Sequence, residues 1–425
     1  MNTFNLKPVV YFLAIVFTRN LYAADDATLK FEHEIEVGAA ILSHQNQNFG
    51  ADESFYGNPV SKDGTRFEWY LRPEFKISKD TDKYESVLTV APLASGTYGD
   101  VDALVLGKKD TADIALEQLS LNTTVKNIFG ITGWDQSLLL GKQQYQIGSY
   151  FVLGNGHLMQ GKSGSTWIAR NKSFDWTSVL RSTYENWKFD LFHLKGTFDF
   201  DAFDLDEKMK LTGFNAEYST EKSRVGGVYF SVDDNANEYR DGLKVRNFYL
   251  SQPLSFISDR VKLELDYAHQ SNSGNNEEGY AARLNYTFEN TKFTPKISYR
   301  WSKFSSGYDA LTYGSTGEWG DWFQGEIIGS YMLFNTNQLT QSVKLELYPA
   351  ETYRLGAVFY DHDNYDGDKR NNFAQELNLY FDYYPSERFF TGLILGVAKP
   401  QTAAKQHYQH DDTSLITEAY ITYKF

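Results

Sequence analysis

The segment Gly156-His157-Leu158-Met159-Gln160-Gly161-Lys162-Ser163 has the glycine, lysine and serine spacing of a phosphate-binding P-loop. That chemistry needs a loop that follows a buried parallel strand and opens a helix, so that backbone N–H groups cradle the phosphates. Here Gly164-Ser165-Thr166-Trp167 follows, with polar, glycine-rich flanks, so the segment reads as a surface loop. A second cluster, Asp361, Asp363, Asp366 and Asp368 around Gly367, offers hard oxygens of the kind calcium takes. The twelfth position from Asp361 is Asn372 and not the Glu of an EF-hand. The cluster at 361–368 therefore reads as a solvated acidic loop, with an adventitious calcium site as the alternative. No serine or histidine stands in a nucleophile elbow, and the chain has no cysteine. Thiolate metal centres, disulfides and thiol nucleophiles are thereby excluded. No catalytic residue, resident metal or cofactor is assigned, and the expectation is not an enzyme.

What remains is charge at a spacing of two. In Leu29–Leu42, Leu29, Phe31, Ile35, Val37 and Ile41 share one face, and Lys30, Glu32, Glu34 and Glu36 the other. In Arg66–Ile77, Phe67, Trp69, Leu71, Phe75 and Ile77 oppose Arg66, Glu68, Tyr70, Arg72, Glu74 and Lys76. The pattern returns at 261–267, 296–301 and 376–383, and in the final Glu418–Phe425. Period two smears both residue types around a helix but sorts them cleanly on a strand. Strands with one apolar and one charged face are the signature of a transmembrane barrel, apolar toward lipid and polar toward the lumen.

The bulk numbers agree. Mean hydropathy is −0.48, yet 16% of the chain is aromatic, with 30 Tyr, 31 Phe and 8 Trp. Rings at both membrane interfaces and a polar lumen produce that combination. The formal charge of −14 argues against nucleic-acid binding, which needs a basic footprint. Lys7 precedes the apolar stretch Pro8–Phe17, and Leu21-Tyr22-Ala23 offers a small residue for cleavage. Residues 1–23 therefore read as a cleaved signal peptide, and 24–425 as the barrel.

Short turns are expected at 78–82, 185–186, 220–223, 289–291, 349–352 and 384–387. Long polar loops are expected near 44–65, 95–112, 148–171, 199–208, 233–241, 270–278, 305–337, 362–373 and 399–414. A plain tally gives 19 segments, including Asp321–Phe334, but both termini in the periplasm require an even number. Gly307–Asn337 is therefore one long extracellular loop with its own short helix or hairpin, and about 18 strands remain. Inward parity assigns Arg66, Arg72, Arg246, Arg283, Arg300, Glu68 and Glu74 to the lumen, together with Lys244, Lys262, Lys296 and Lys344. Such charges set ion preference or pair across neighbouring strands and stiffen the wall.

Three stretches resemble the alginate export family of outer-membrane channels. They are Leu138-Leu139-Leu140-Gly141-Lys142-Gln143-Gln144, Asn171-Lys172-Ser173-Phe174-Asp175, and the run from Tyr308 to Pro349 that includes Gly320-Asp321-Trp322-Phe323-Gln324-Gly325. The resemblance implies an 18-strand monomeric barrel that passes a solute passively, with Lys142 and Gln143 matching a lumen motif in which Lys142 replaces Arg. A polyuronate such as alginate sits poorly with the net acidity. The final strand ending in Phe425 resembles the signal read by the outer-membrane assembly machinery. Expected partners are the bilayer, lipopolysaccharide and an unidentified small organic solute or anionic oligosaccharide. Tyr313, Trp319 and Trp322 either stack on a sugar at the mouth or pack the loop against the wall. The alternative function is a non-conducting barrel that acts as adhesin, receptor or scaffold through its loops.

Overall fold

A computed structural model describes residues 29–425, apart from 56, 104–108, 155, 160–163, 166, 169–171, 201–204, 235–236, 238, 273, 313–317 and 368. The signal-peptide segment 1–23 and Tyr313 lie outside the described residues. The strands are β1 (Leu29–Gln45), β2 (Gly64–Asp80), β3 (Tyr84–Gly99), β4 (Thr111–Val125), β5 (Trp134–Gln143), β6 (His157–Met159), β7 (Phe174–Tyr184), β8 (Trp187–Phe200), β9 (Leu205–Ser219) and β10 (Arg224–Asp233). They continue as β11 (Lys244–Pro253), β12 (Val261–Asn272), β13 (Asn275–Thr287), β14 (Lys296–Phe304), β15 (Gln338–Ala350), β16 (Tyr353–Asp366), β17 (Lys369–Ser386), β18 (Phe389–Pro400) and β19 (Ser414–Lys424). Each pairs antiparallel with its neighbour, except the three-residue β6, which runs parallel to β8. Setting β6 aside leaves a closed 18-strand antiparallel barrel. The ring closes where β19 meets β1, with Gly38 opposite Thr422 and the Phe425 N–H donating to the Ile35 carbonyl at 2.9 Å.

The alternation holds in space. Phe31, Ile41, Phe67, Leu71, Leu191, Phe214 and Leu379 are exposed on the outer surface, while Glu36, Arg66, Glu68, Tyr70 and Glu376 are buried inside. Among its described residues, the long connection after β14 forms no strand and carries one π-helix, Gly325–Leu333. Two expected long loops are corrected. Residues 270–278 and 362–373 are strand up to the tight turns between Asn272 and Asn275 and between Asp366 and Lys369. These strands run past the bilayer, where both faces are polar and the alternation disappears. Two turns at the terminus-bearing end, 126–133 and 254–260, were not anticipated.

The barrel interior uses glycine where a ring must lie flat. Gly38 stands opposite Tyr70, and a Cβ there would sit 2.2 Å from Tyr70 Cε1. The Tyr70 hydroxyl then reaches Glu36 at 2.5 Å. Gly38→Ala is expected to push the ring off its acceptor and cost about 1–3 kcal/mol. A lower urea midpoint for loss of heat-modifiable migration checks this, and an unchanged midpoint contradicts it.

Candidate functional site

The lumen is narrowed by two loops that fold inward from the end opposite the termini. The first spans residues 144–173 and the second 305–337. Both hang on wall carboxylates that accept backbone N–H groups, because a chain segment leaving the sheet brings orphan donors into a buried space. Glu68 accepts from the Trp167 and Ile168 amides at 2.9 and 3.0 Å. Glu117 accepts from the Lys172 and Ser173 amides at 3.0 and 3.1 Å. Glu376 accepts from the Ile327 and Ile328 amides at 3.0 and 2.7 Å, at the start of the π-helix.

The loops also lock to each other. Gly154 N–H donates to the Thr312 carbonyl at 2.6 Å, and Trp322 Nε1 donates to the Ser149 carbonyl at 2.8 Å. The Phe151 and Trp322 rings meet at 4.7 Å. Around this joint lies an apolar cluster that includes Tyr145, Phe151, Phe304, Tyr308 and Leu311, and it packs against Val228, Phe230 and Val245 of the wall. Trp319 stacks on Tyr380 at 4.9 Å with the Arg354 guanidinium 3.8 Å above its ring. Trp319 and Trp322 are both buried and pack the loop.

Beneath the loops, toward the terminus-bearing end, lie two polar chambers. The larger, about 520 Å³, is lined by Glu32, Glu36, Arg72, Glu74, Glu117 and Gln143 among others. Arg72 and Glu74 pair there at 2.6 Å. The smaller, about 300 Å³, is lined by Arg224, Lys262, Glu264, Arg283, Arg300 and Glu318 among others. Arg283 holds Glu318 at 2.7 Å. Arg300 donates to the Asp321 carbonyl at 2.6 Å and lies 5.6 Å from the Trp322 ring, while its Nε and second Nη have no hydrogen-bond partner among the described residues.

Of the residues assigned to the lumen from sequence, Arg72, Glu74, Gln143, Arg283 and Arg300 line these chambers. Arg66 and Glu68 also point inward but are covered: they pair at 3.1 Å, with 4% and 0% of their side chains exposed, and Arg66 reaches the Tyr331 hydroxyl at 3.1 Å. They anchor loops and do not line water. Three assignments are corrected, those of Arg246, Lys244 and Lys142. Arg246 is exposed on the outer face with Lys244 and Phe248, because the first loop lays its apolar cluster against β11 and takes Val245, Asn247 and Tyr249 inward. Lys142 also faces out. It stands opposite Leu119 on β4 and pairs with Asp175 at 3.3 Å, because strand alternation puts it on the lipid-facing side with Leu138 and Leu140 and leaves the inward place to Gln143. Sequence reasoning missed Glu117. Its signal was the adjacent pair Glu117-Gln118 in an otherwise alternating strand, which marks the register shift near Pro92.

The acidic cluster is part of the β16–β17 hairpin. Asp363 pairs with Arg370 and Asp361 accepts from Gln375 at 3.2 Å; Asp368 lies outside the described residues. Among the described residues no group of three or more His, Asp or Glu is arranged to hold a metal ion. Of the P-loop-like segment, His157–Met159 forms β6, and 160–163 lie outside the described residues.

Charge holds the second loop at Glu318. Burial alone would raise its carboxyl, but Lys344, Arg283, Lys296 and Lys262 outweigh this and hold it down to about 2. A depressed carboxyl stabilises the seated loop above its ordinary value of 4.5, and that contribution is lost as pH falls through about 2. Proteolysis within 305–337 is therefore expected to accelerate on acidification below pH 4.5, with Glu318→Gln removing part of that acceleration. Parallel pH profiles for the two proteins would contradict it.

No family model matches the chain, and no curated protein matches it. Solved structures do. OccK7 (OpdD) of Pseudomonas aeruginosa is 10% identical, with a TM-score of 0.56 over 93% of this chain and 99% of that one. OccK8 (OprE) of the same organism is 9% identical, with a TM-score of 0.56 over 93% and 98%. OccAB3 of Acinetobacter baumannii is 11% identical, with a TM-score of 0.53 over 93% and 100%. At these identities the likeness is one of fold, that of barrels of the bacterial outer membrane. It supports the barrel architecture and not the alginate export family specifically.

Proposed function

We propose that the chain is a passive channel for small solutes, narrowed by the loops 144–173 and 305–337. The observation that carries this reading is the pair of charge-lined chambers beneath the loops, of about 520 and 300 Å³. Spaces of that size suit a small organic molecule. A wall that pairs most of its cations with carboxylates offers little continuous positive field for a polyuronate chain. The preferred solute is therefore a small organic anion or zwitterion, and the resemblance to alginate exporters extends to the architecture and not to alginate.

The interlocked apolar cluster of the two loops favours a closed resting state, and this is the observation that keeps the non-conducting alternative in view. Single-channel recording of refolded protein in a planar bilayer tests both readings. Discrete conductance steps, reduced by the permeating solute, are the expected result. Folded protein that never conducts, even at high voltage, would overturn the channel and leave a filled barrel acting through its loops.

A further inference from the structure

On the outer face of β8 to β14, at the end that bears the long loops, cations gather where lipid should be. Lys195 shares its face with the exposed Phe189 and Leu191, Lys210 with Phe214, Lys244 and Arg246 with Phe248, and Lys303 with Tyr299. The register sets two of them face to face and the others along neighbouring strands. Lys195 stands opposite Lys210, Ser231 opposite Lys244, Arg246 opposite His269, and Tyr280 opposite Lys303.

Height follows from strand geometry. From Trp187 at the short-turn edge to Lys195, β8 rises about 26 Å along its axis, or about 20 Å across the membrane at a tilt of roughly 40°. Against an apolar band about 25 Å tall, that places the Lys195 backbone about 5 Å inside the outer edge, from which a lysine side chain reaches the headgroups, with Tyr229, Tyr267 and Tyr280 among the cations as interface rings.

The protein leaves these charges largely uncompensated. Lys210 meets Asp233 at 3.1 Å, and Glu278 takes the Tyr267 and Tyr280 hydroxyls at 2.9 and 2.5 Å. Arg246 has the Tyr229 ring at 5.8 Å and His269 at 3.5 Å. Lys303 lies over the Tyr365 ring at 5.1 Å and feels the charge of Glu278. Among the described residues, Lys195, Lys244 and Arg246 have no carboxylate partner. Two lysines directly opposite each other destabilise a sheet, and cations turned toward lipid cost more. In a chain of net charge −14, their gathering on one arc calls for an anion from outside.

We propose that this arc binds the phosphorylated headgroup of an outer-leaflet glycolipid. A phosphate between Lys195 and Lys210, and another at Arg246, would turn the repulsion into charge-assisted hydrogen bonds. The acyl chains would lie down the apolar surface of Leu191, Phe214 and Phe248.

The test is native mass spectrometry of the folded barrel in detergent, titrated with bis-phosphorylated lipid A and with its fully dephosphorylated form. Retention of the phosphorylated lipid is expected to be about tenfold stronger. The combined substitution Lys195→Gln, Arg246→Gln and Lys303→Gln should lower it to the level of the dephosphorylated form. Removing Lys399 and Lys405, away from the arc, should leave it unchanged. Equal retention of the two lipids by the wild-type barrel would overturn the proposal, and that comparison stands whether or not the triple variant folds. So would a folded triple variant that still discriminates between them.

Discussion

Glu376→Ala is expected to release the 305–337 loop while the barrel stays closed. Glu376 is buried and takes two backbone amides at the start of the π-helix, and it also accepts from the Asn378 amide at 2.8 Å. Its removal orphans the Ile327 and Ile328 N–H groups in a dry site. Each orphan costs about 1–3 kcal/mol, so the loop's open population should rise on the order of a hundredfold. Gly325 adds to the dependence, because its φ of +110° and a distance of 2.5 Å from a would-be Cβ to Glu376 Oε2 let the backbone pass close to the carboxylate. The measurement is limited proteolysis within 305–337 beside single-channel conductance. Both should rise, with heat-modifiable migration retained. Glu376→Gln keeps one acceptor oxygen and should lie between alanine and wild type. An alanine variant with wild-type proteolysis would show that the apolar packing alone seats the loop.

The second large effect belongs to Trp322, where the loops meet. Trp322→Ala removes a side chain that is 4% exposed, its contact with Phe151, and its bond to the Ser149 carbonyl. Buried Trp→Ala changes cost about 3–5 kcal/mol. Here the loss falls on both loops, so proteolysis within 144–173 as well as 305–337 should increase, in contrast to the single-loop pattern of Glu376→Ala. Trp322→Phe keeps most of the packing and loses only the N–H donor, worth about 1 kcal/mol. If alanine at 322 exposes only the 305–337 loop, the first loop is held by Glu68 and Glu117 independently of the joint.

These effects rest on features of different visibility in the sequence. The barrel itself was legible because the membrane imposes one rule on every strand. Phe67, Leu71 and Phe75 had to face lipid, and period two then sent Arg66, Glu68, Arg72 and Glu74 inward. Strand parity, with both termini expected at one end, makes Gly307–Asn337 a single loop on the sequence alone. Gly38, opposite Tyr70, and Gly356, where a Cβ would sit 2.3 Å from Trp319 Cζ3, had no such signature, since the ring that covers each one comes from a neighbouring strand or an in-folded loop.

Which inward charges face water, and which are consumed by the fold, was decided by tertiary structure alone. Glu68 and Arg72 sit four residues apart on one face of β2. The first is sealed beneath the amides of Trp167 and Ile168, whereas the second lines a chamber, because a loop almost a hundred residues away in sequence comes down on one and not on the other. Arg246 shows the same cause with the opposite sign. Where the in-folded loops bring apolar side chains, the lumen wall turns apolar and the charges move to the outer surface. Alternation along a strand fixes that two faces differ. Which of them meets water depends on what the rest of the chain packs against each face, and that information lies in contacts between residues far apart in sequence.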